Sequence, residues 1–525
     1  MNPDAEVPDA EVPDASIPFE CPDWTPPAMI EGAIDSRVDV PTGQAWLGFR
    51  TAREEERMWE AYQPQRIAER FRIEQSWIDN GCISDAELIG LGRSMFLRQW
   101  SVEEGLGNDL SGIDPLAGQK PRPNFRRFQA GAFGGPDANA CVNCHWKGGF
   151  AGAGDRADNS FLFGDGDDAL VHDQRNPPAL WGAGWIQIIA DEMTGELRET
   201  YDTAIARVQA SGEPERVELY AKDVYFGVVE ISVDEQGDPV SDFTGLEGVD
   251  ADLVVKPFGW KGNFTDLRTF VKDSFHVHMN LQAEELVRTP DEFLHLGRGD
   301  NPDDPDNDGV LRELTEGQIT AMVAFIATLD TPEIQVPTIA GQYGNPLLGD
   351  FEAVYGSEFI DRWLEGVDVF DELGCSYCHR PFMAVSSSIW RSKGLSEGST
   401  HIELDLAMHG AAPKPELNND GVWLVPVFSD FKRHQMGSHL EAQHVDRDVP
   451  TSDYMTRRLW GVANTKPYMH TGSATTFGEA IALHGGEGSE AQPMAQAFFE
   501  LDMGRRASLM VFLDSLRRAP AIRVR

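Results

Sequence analysis

Two copies of one short pattern constrain this chain more than anything else in it: Cys141-Val142-Asn143-Cys144-His145 and Cys375-Ser376-Tyr377-Cys378-His379. Cys-x-x-Cys-His is the pattern that attaches a c-type haem. Two thiols with two residues between them reach the two vinyl groups of one porphyrin, and the next residue puts an imidazole on the iron. A structural zinc would need a second Cys or His pair near each motif, and the sequence offers none. Thiol redox chemistry does not need the following His. Cys141, Cys144, Cys375 and Cys378 are therefore read as carrying two covalent haems, with His145 and His379 as iron ligands. Such attachment takes place outside the cytoplasm, so the chain is expected to be periplasmic or secreted. Disulfides persist there, and the two remaining cysteines, Cys21 and Cys82, are expected to bridge; two buried thiols are the alternative.

The motif histidines are 234 residues apart, so each motif is expected to centre its own domain. The predicted fold is mainly α: two cytochrome-c-like haem domains with long loops and a small β-hairpin insertion. An N-terminal haem domain over 21–335 would contain the insertion at about 185–256, and a C-terminal haem domain would cover 345–525. Ser84-Asp85-Ala86-Glu87 reads as a capping box that starts a helix running to about Trp100. Val217 to Asp234 alternates and is β-branched, which predicts the hairpin. Helices are predicted from Phe264 to Asn280, from Thr315 to Leu329 and from Phe359 to Leu373, the last ending at Gly374. A final helix carries Leu509, Phe512, Leu513 and Leu516 on one stripe.

The net charge of −42 repels nucleic acid and anionic membrane surfaces. No run of 18 apolar residues is present, so no membrane-spanning helix is expected. The first 20 residues hold a Pro-Asp-Ala repeat that cannot bury apolar surface and reads as a disordered tether. They lack the basic start and apolar core of a signal peptide, which suits a mature chain whose export signal has been removed.

Several further segments resemble the bacterial di-haem cytochrome c peroxidases and the related MauG-type and di-haem oxidoreductase proteins, over roughly residues 85–520. They are Arg175-Asn176-Pro177-Pro178, Phe258-Gly259-Trp260-Lys261-Gly262 followed by Leu267, and Leu459 to Gly472 with its Pro467-Tyr468-Met469-His470. Glu479-Ala480-Ile481 and His484 follow, where the family places a helix with a distal ligand.

The resemblance implies different jobs for the two haems. The C-terminal one would transfer electrons, with His484 as distal ligand, Met436 as the rival, and His470 among the residues around the cofactor. The N-terminal haem would be the reaction site. Relatives place a Glu there as acid–base group; here His278 takes that position, and Phe270 stands where a Gln is usual. His278 would shuttle a proton, ligate the iron, or lie on the surface of an amphipathic helix. No His occurs between His145 and His172, where classical members carry a displaceable one. Trp260 would relay electrons between the haems or serve as a core aromatic. The family also implies a calcium ion between the halves, held by Asn176 and the carbonyls of Thr465 and Pro467. Separately, Asp304, Asp306, Asp308 and Glu313 alternate as in a calcium loop, without Glu at the twelfth position.

The expected function is peroxide reduction or peroxide-driven oxidation, with hydrogen peroxide or dioxygen as oxidant and a small redox protein or organic reductant as partner. The alternatives are an electron-carrying cytochrome with both irons six-coordinate and a dioxygenase like the family's rubber-cleaving members.

Overall fold

The computed structural model describes residues 19–24, 71–107, 138–155, 175–279, 281–288, 309–332, 357–394, 399–442, 446 and 448–518. The expected tether over 1–20, apart from Phe19 and Glu20, the carboxylates Asp304, Asp306 and Asp308, and the expected junction of the halves near 335–345 lie outside them.

Helices begin where side chains cap them. After α1 (Gln75–Asp79), α2 (Asp85–Leu97) starts on Ser84, whose hydroxyl accepts from Glu87 N while the Glu87 carboxylate accepts from Ser84 N. A cap of this kind is worth about 1 kcal/mol. Next comes α3 (Ala183–Ser211), 29 residues long, with Ile186, Ile189, Met193, Leu197, Ala204 and Val208 buried at helical spacing. That spacing makes residues 183–211 helical, so the strands are confined to the later part of the expected 185–256 insertion. They are β1 (Glu215–Ala221), β2 (Val224–Val233) and β3 (Pro239–Asp242), an antiparallel sheet in that order. Beyond it lie α4 (Leu267–Met279), α5 (Glu284–Arg288) and α6 (Glu316–Ala327), the last capped by Thr315 and Gln318. α6 is buried along nearly its whole length. α2 crosses it so closely that a Cβ on Gly92 would meet Ala321 O at 1.9 Å.

The second half opens with α7 (Ser357–Glu372) and the one-turn α8 (Cys375–Cys378), divided by Gly374 at φ +82°. A left-handed residue there turns the chain so that the second motif starts a new helix. Short strands follow: β4 (Met383–Val385), β5 (Ile389–Lys393) and β6 (Thr400–Asp405). Then come α9 (Leu406–His409), β7 (Glu416–Leu417), β8 (Trp423–Val425), β9 (Arg433–Gln435) and β10 (Asp453–Met455). The chain closes with α10 (Phe477–Leu483), α11 (Gln492–Glu500) and α12 (Met503–Ser515). β5 pairs with β6, β9 with β10, and β8 lies between β4 and β7. At 39% helix and 16% strand among the described residues the fold is more mixed than the mainly α expectation, because this half carries several strands too short for alternation to reveal.

Buried apolar side chains form two large clusters. One joins α2, α3, α4, α6 and the β1–β2 hairpin with residues from Met383 to Phe431. Buried Gln187 ties this together: its amide donates to Arg391 O at 2.8 Å and its carbonyl accepts from Leu267 N at 3.0 Å. The other packs Trp363, Val369 and Phe370 of α7 against Leu509, Phe512 and Leu513 of α12. The expected Cys21–Cys82 disulfide is present. No described helix is long and apolar enough to cross a membrane.

Candidate haem-binding sites

Each Cys-x-x-Cys-His motif lines a cavity. The first is a pocket of about 70 Å³ whose described walls include Cys141, Cys144, His145, Phe270, Phe275 and His278. The second, about 290 Å³, holds Cys375, Cys378, His379, His484, Met436 and Trp260 among its walls. None of the four motif cysteines forms a disulfide. Burial pushes the Cys141 thiol up to about 12 and the Cys375 thiol up to about 11. Such groups are poor thiolates, which argues against thiol redox chemistry at these two residues.

The motif imidazoles are oriented for metal binding. His145 donates from Nδ1 to Gly152 O at 3.2 Å, and His379 donates from Nδ1 to Phe428 O at 3.2 Å. Fixing the proton on Nδ1 leaves the Nε2 lone pair for iron, the usual outer arrangement of a metal-bound His. Burial holds both rings neutral, each pushed down to about 4. His484, at the end of α10, donates from Nδ1 to Ala480 O at 2.7 Å and is likewise pushed down by burial. Its charge also acts on His379, so the two rings share one cavity with matching tautomers. Met436 lines the same cavity but packs in an apolar group with Leu440, Tyr454 and Trp260. His278 stands in the last turn of α4 and acts on His145 in the same way.

Folded pKa values below the unfolded 6.5 mean that the unfolded chain binds more protons between about pH 6.5 and 4. The haem-free chain is therefore expected to lose stability as pH falls through that window. His145 and His379 each contribute up to about 1.4 kcal/mol per pH unit. Urea midpoints at pH 7, 5.5 and 4.5 check this. A His145→Gln, His379→Gln double variant should flatten the slope by about two protons; an unchanged slope would refute it.

Between the cavities the two halves interlock. Asn176 N donates to His470 O at 2.6 Å, Asn176 Nδ2 to Pro467 O at 2.7 Å, and Trp260 Nε1 to Asn176 O at 2.8 Å. Asn176 Oδ1 is buried with no hydrogen-bond partner among the described residues. Trp260 meets His470 edge-on, ring centroids 6.4 Å apart, and His470 stacks on Tyr454 at 4.6 Å with Tyr454 Oη 3.1 Å from its Nε2. Burial, with the charges of Arg175 and Lys261, pushes His470 down to about 3. Thr465 and Pro467 line the same cavity. Phe270 faces the first pocket and is held by Phe264 and Phe258. Glu313 is buried and its carboxylate accepts from Gln282 N at 2.6 Å, while its three proposed partners fall outside the described residues.

Two features escaped the sequence reading. His434 lies between Asp430, 2.9 Å from Nε2, and Glu490, 2.7 Å from Nδ1. Burial opposes its charge, but hydrogen bonds to Asp430, Cys378 Sγ and Glu490 prevail and push it up to about 12. Arg457 and Arg458 line the larger cavity. An adjacent basic pair just before the Leu459 segment, in so acidic a chain, was the available signal.

No curated protein matches this sequence. Residues 357–516, from the start of α7 to just past α12 and so including the second motif, match the family described as "Di-haem oxidoreductase, putative peroxidase". That match supports a likeness of this stretch of the chain to the di-haem peroxidase-type superfamily.

Proposed function

We propose that the protein is a c-type di-haem oxidoreductase that reduces hydrogen peroxide, or uses it as an oxidant, at the Cys141–His145 site. Electrons would arrive through the Cys375–His379 site. The observation that carries this reading is the difference between the two cavities. The second offers a pair of imidazoles, His379 and His484, each with Nδ1 engaged by a carbonyl. The first sets His145 against a largely apolar wall of Phe270, Val271 and Phe275 with His278 on it.

Covalently held haem supplies the one-electron steps and the position where an oxidant binds. The chain's own residues do the rest. His278 takes the proton that peroxide loses on binding and returns it to the leaving oxygen, work that contributes about 10²–10⁴ in rate. Phe270 and Phe275 keep the pocket dry. Trp260, pinned to Asn176 between the halves, gives electrons an aromatic path. His484 as second ligand would set a lower potential than a thioether, which favours ferrous iron.

The test is EPR of the oxidised, exported protein before and after peroxide, with turnover assays. One high-spin and one low-spin ferric signal are expected, and His278→Ala should lower kcat/KM by about 10²–10⁴. Two low-spin signals without turnover would make the chain an electron carrier instead. Oxygen uptake with an apolar polyene, and no peroxide turnover, would make it a dioxygenase.

Export is part of the proposal, supported by the Cys21–Cys82 disulfide and the attachment chemistry of the motifs. So is a calcium ion held by Asn176 and the carbonyls of Thr465 and Pro467. The buried, unpartnered Asn176 Oδ1 is the hard oxygen donor such an ion takes. One equivalent of calcium per chain, lost in an Asn176→Ala variant, is the expected metal analysis. Equal content in both forms would remove it.

A further inference from the structure

Arg457 and Arg458 stand next to each other on the wall of the larger cavity. Arg457 lies 4.7 Å over the Trp260 ring, and its Nη1 donates to Gly259 O at 3.1 Å. Arg458 lines the His379 cavity, yet its charge also acts on His145 of the other site. Arg458 thus lines one site and acts on the other. Among the described residues neither guanidinium makes an ion pair with a carboxylate. Burial pushes Arg457 down to about 10; it pushes Arg458 down too, with the charge of Arg457 adding. Of the described residues lining this cavity the one acid is Glu490, and His434 already engages it. Two like charges side by side and half-buried on a cavity wall, without a counter-ion among the described residues, are costly. A planar guanidinium is the group best matched to a carboxylate fork.

We propose that Arg457 and Arg458 form a carboxylate-binding pair that takes propionate groups of the covalently attached porphyrins. This rests on the di-haem reading. A free small carboxylate offers the same chemistry, and the experiment separates the two sources.

Arg457→Gln, Arg458→Gln and the corresponding lysine variants are made in the exported holoprotein. Haem content is counted first, on the wild type, so a chain without two haems refutes the di-haem reading before any variant is tested. Each midpoint potential is then titrated, and the propionate bending bands are recorded by resonance Raman. Loss of a cation beside a propionate favours ferric iron. A glutamine variant with both haems should therefore shift the ferric/ferrous ratio of one haem at least tenfold, which is 59 mV for one electron. The propionate bands should move with it, and the wild-type midpoints should not respond to added acetate. Unchanged midpoints and bands in both glutamine variants would overturn the assignment. So would wild-type midpoints that follow acetate and lose that response in the variants, since the pair would then hold a free carboxylate. Should the glutamine variants fail to fold, the lysine variants decide. They keep the charge but lose the fork, so the propionate bands shift if the assignment holds and stay in place if it does not.

Discussion

A chain in which Cys375 and Cys378 are both alanine is expected to mature with one covalent haem instead of two. The Soret absorbance per chain should halve, and peroxide turnover should fall to the level of a chain without haem. The reciprocal Cys141→Ala, Cys144→Ala chain should also keep one haem, now at the second site. The reason is spatial. Each motif supplies its thiols and imidazole to a separate cavity, and each imidazole is set by its own carbonyl, Gly152 O for His145 and Phe428 O for His379. Nothing in one attachment needs the other, whereas turnover needs both under the proposed electron path. The same pair of variants tests the strongest competing chemistry. Cys378 Sγ lies within 4.8 Å of the ligand atoms of Asp430 and His434, so an unmodified thiol there would complete a three-ligand site for a divalent metal. Stoichiometric zinc in the wild type, lost with Cys378, would overturn the thioether reading of the second motif. Haem at both motifs leaves no thiolate for such an ion.

The parts that were legible in the sequence are those fixed by neighbours in the chain. Both Cys-x-x-Cys-His motifs are five residues long. The capped starts of α2 and α6 need only Ser84 with Glu87 and Thr315 with Gln318, three positions apart. The stripe of α12 repeats within one helix. What escaped depends on partners far away. β4 and β7 to β10 have two or three residues each, too few for alternation to register. Met383 to Phe431 follows the second motif, yet its buried side chains join the core built mainly by residues before 330. His434 gains its character from Asp430, four residues off, and also from Glu490, 56 residues away. Arg457 and Arg458 read locally as an ordinary basic pair, and only the cavity wall gives them a role. The placement of His278 shows both levels at once. Its helix was legible; its position on the wall opposite His145 depends on what anchors α4.

That anchor supports the second large effect. Replacing Glu285 by alanine is expected to destabilise the protein by about 3–5 kcal/mol, the range for removing one partner of a buried ion pair. Glu285 is 1% exposed. It accepts from Arg268 Nε at 2.9 Å and from Lys272 Nζ at 2.8 Å, two cations one turn apart on α4 and themselves buried. Arg268 reaches on to α6, donating to Thr320 Oγ1 at 2.8 Å and Glu316 O at 3.1 Å. Burial alone would raise the Glu285 carboxyl, but Arg268 and Lys272 hold it below the usual range, so it stays anionic. Alanine there leaves two buried cations uncompensated, and the helix that carries them also carries Phe270, Phe275 and His278 on the wall of the first cavity. The urea midpoint should fall with m unchanged. Turnover should fall too, by loss of His278 placement, although Glu285 does not line that cavity. Changing Arg268, Lys272 and Glu285 together to methionine, methionine and leucine should restore most of the midpoint, because a well-packed apolar trio avoids the desolvation cost. A loss below about 1 kcal/mol for Glu285→Ala, the range of an exposed pair, would show that this cluster does not hold α4 in place.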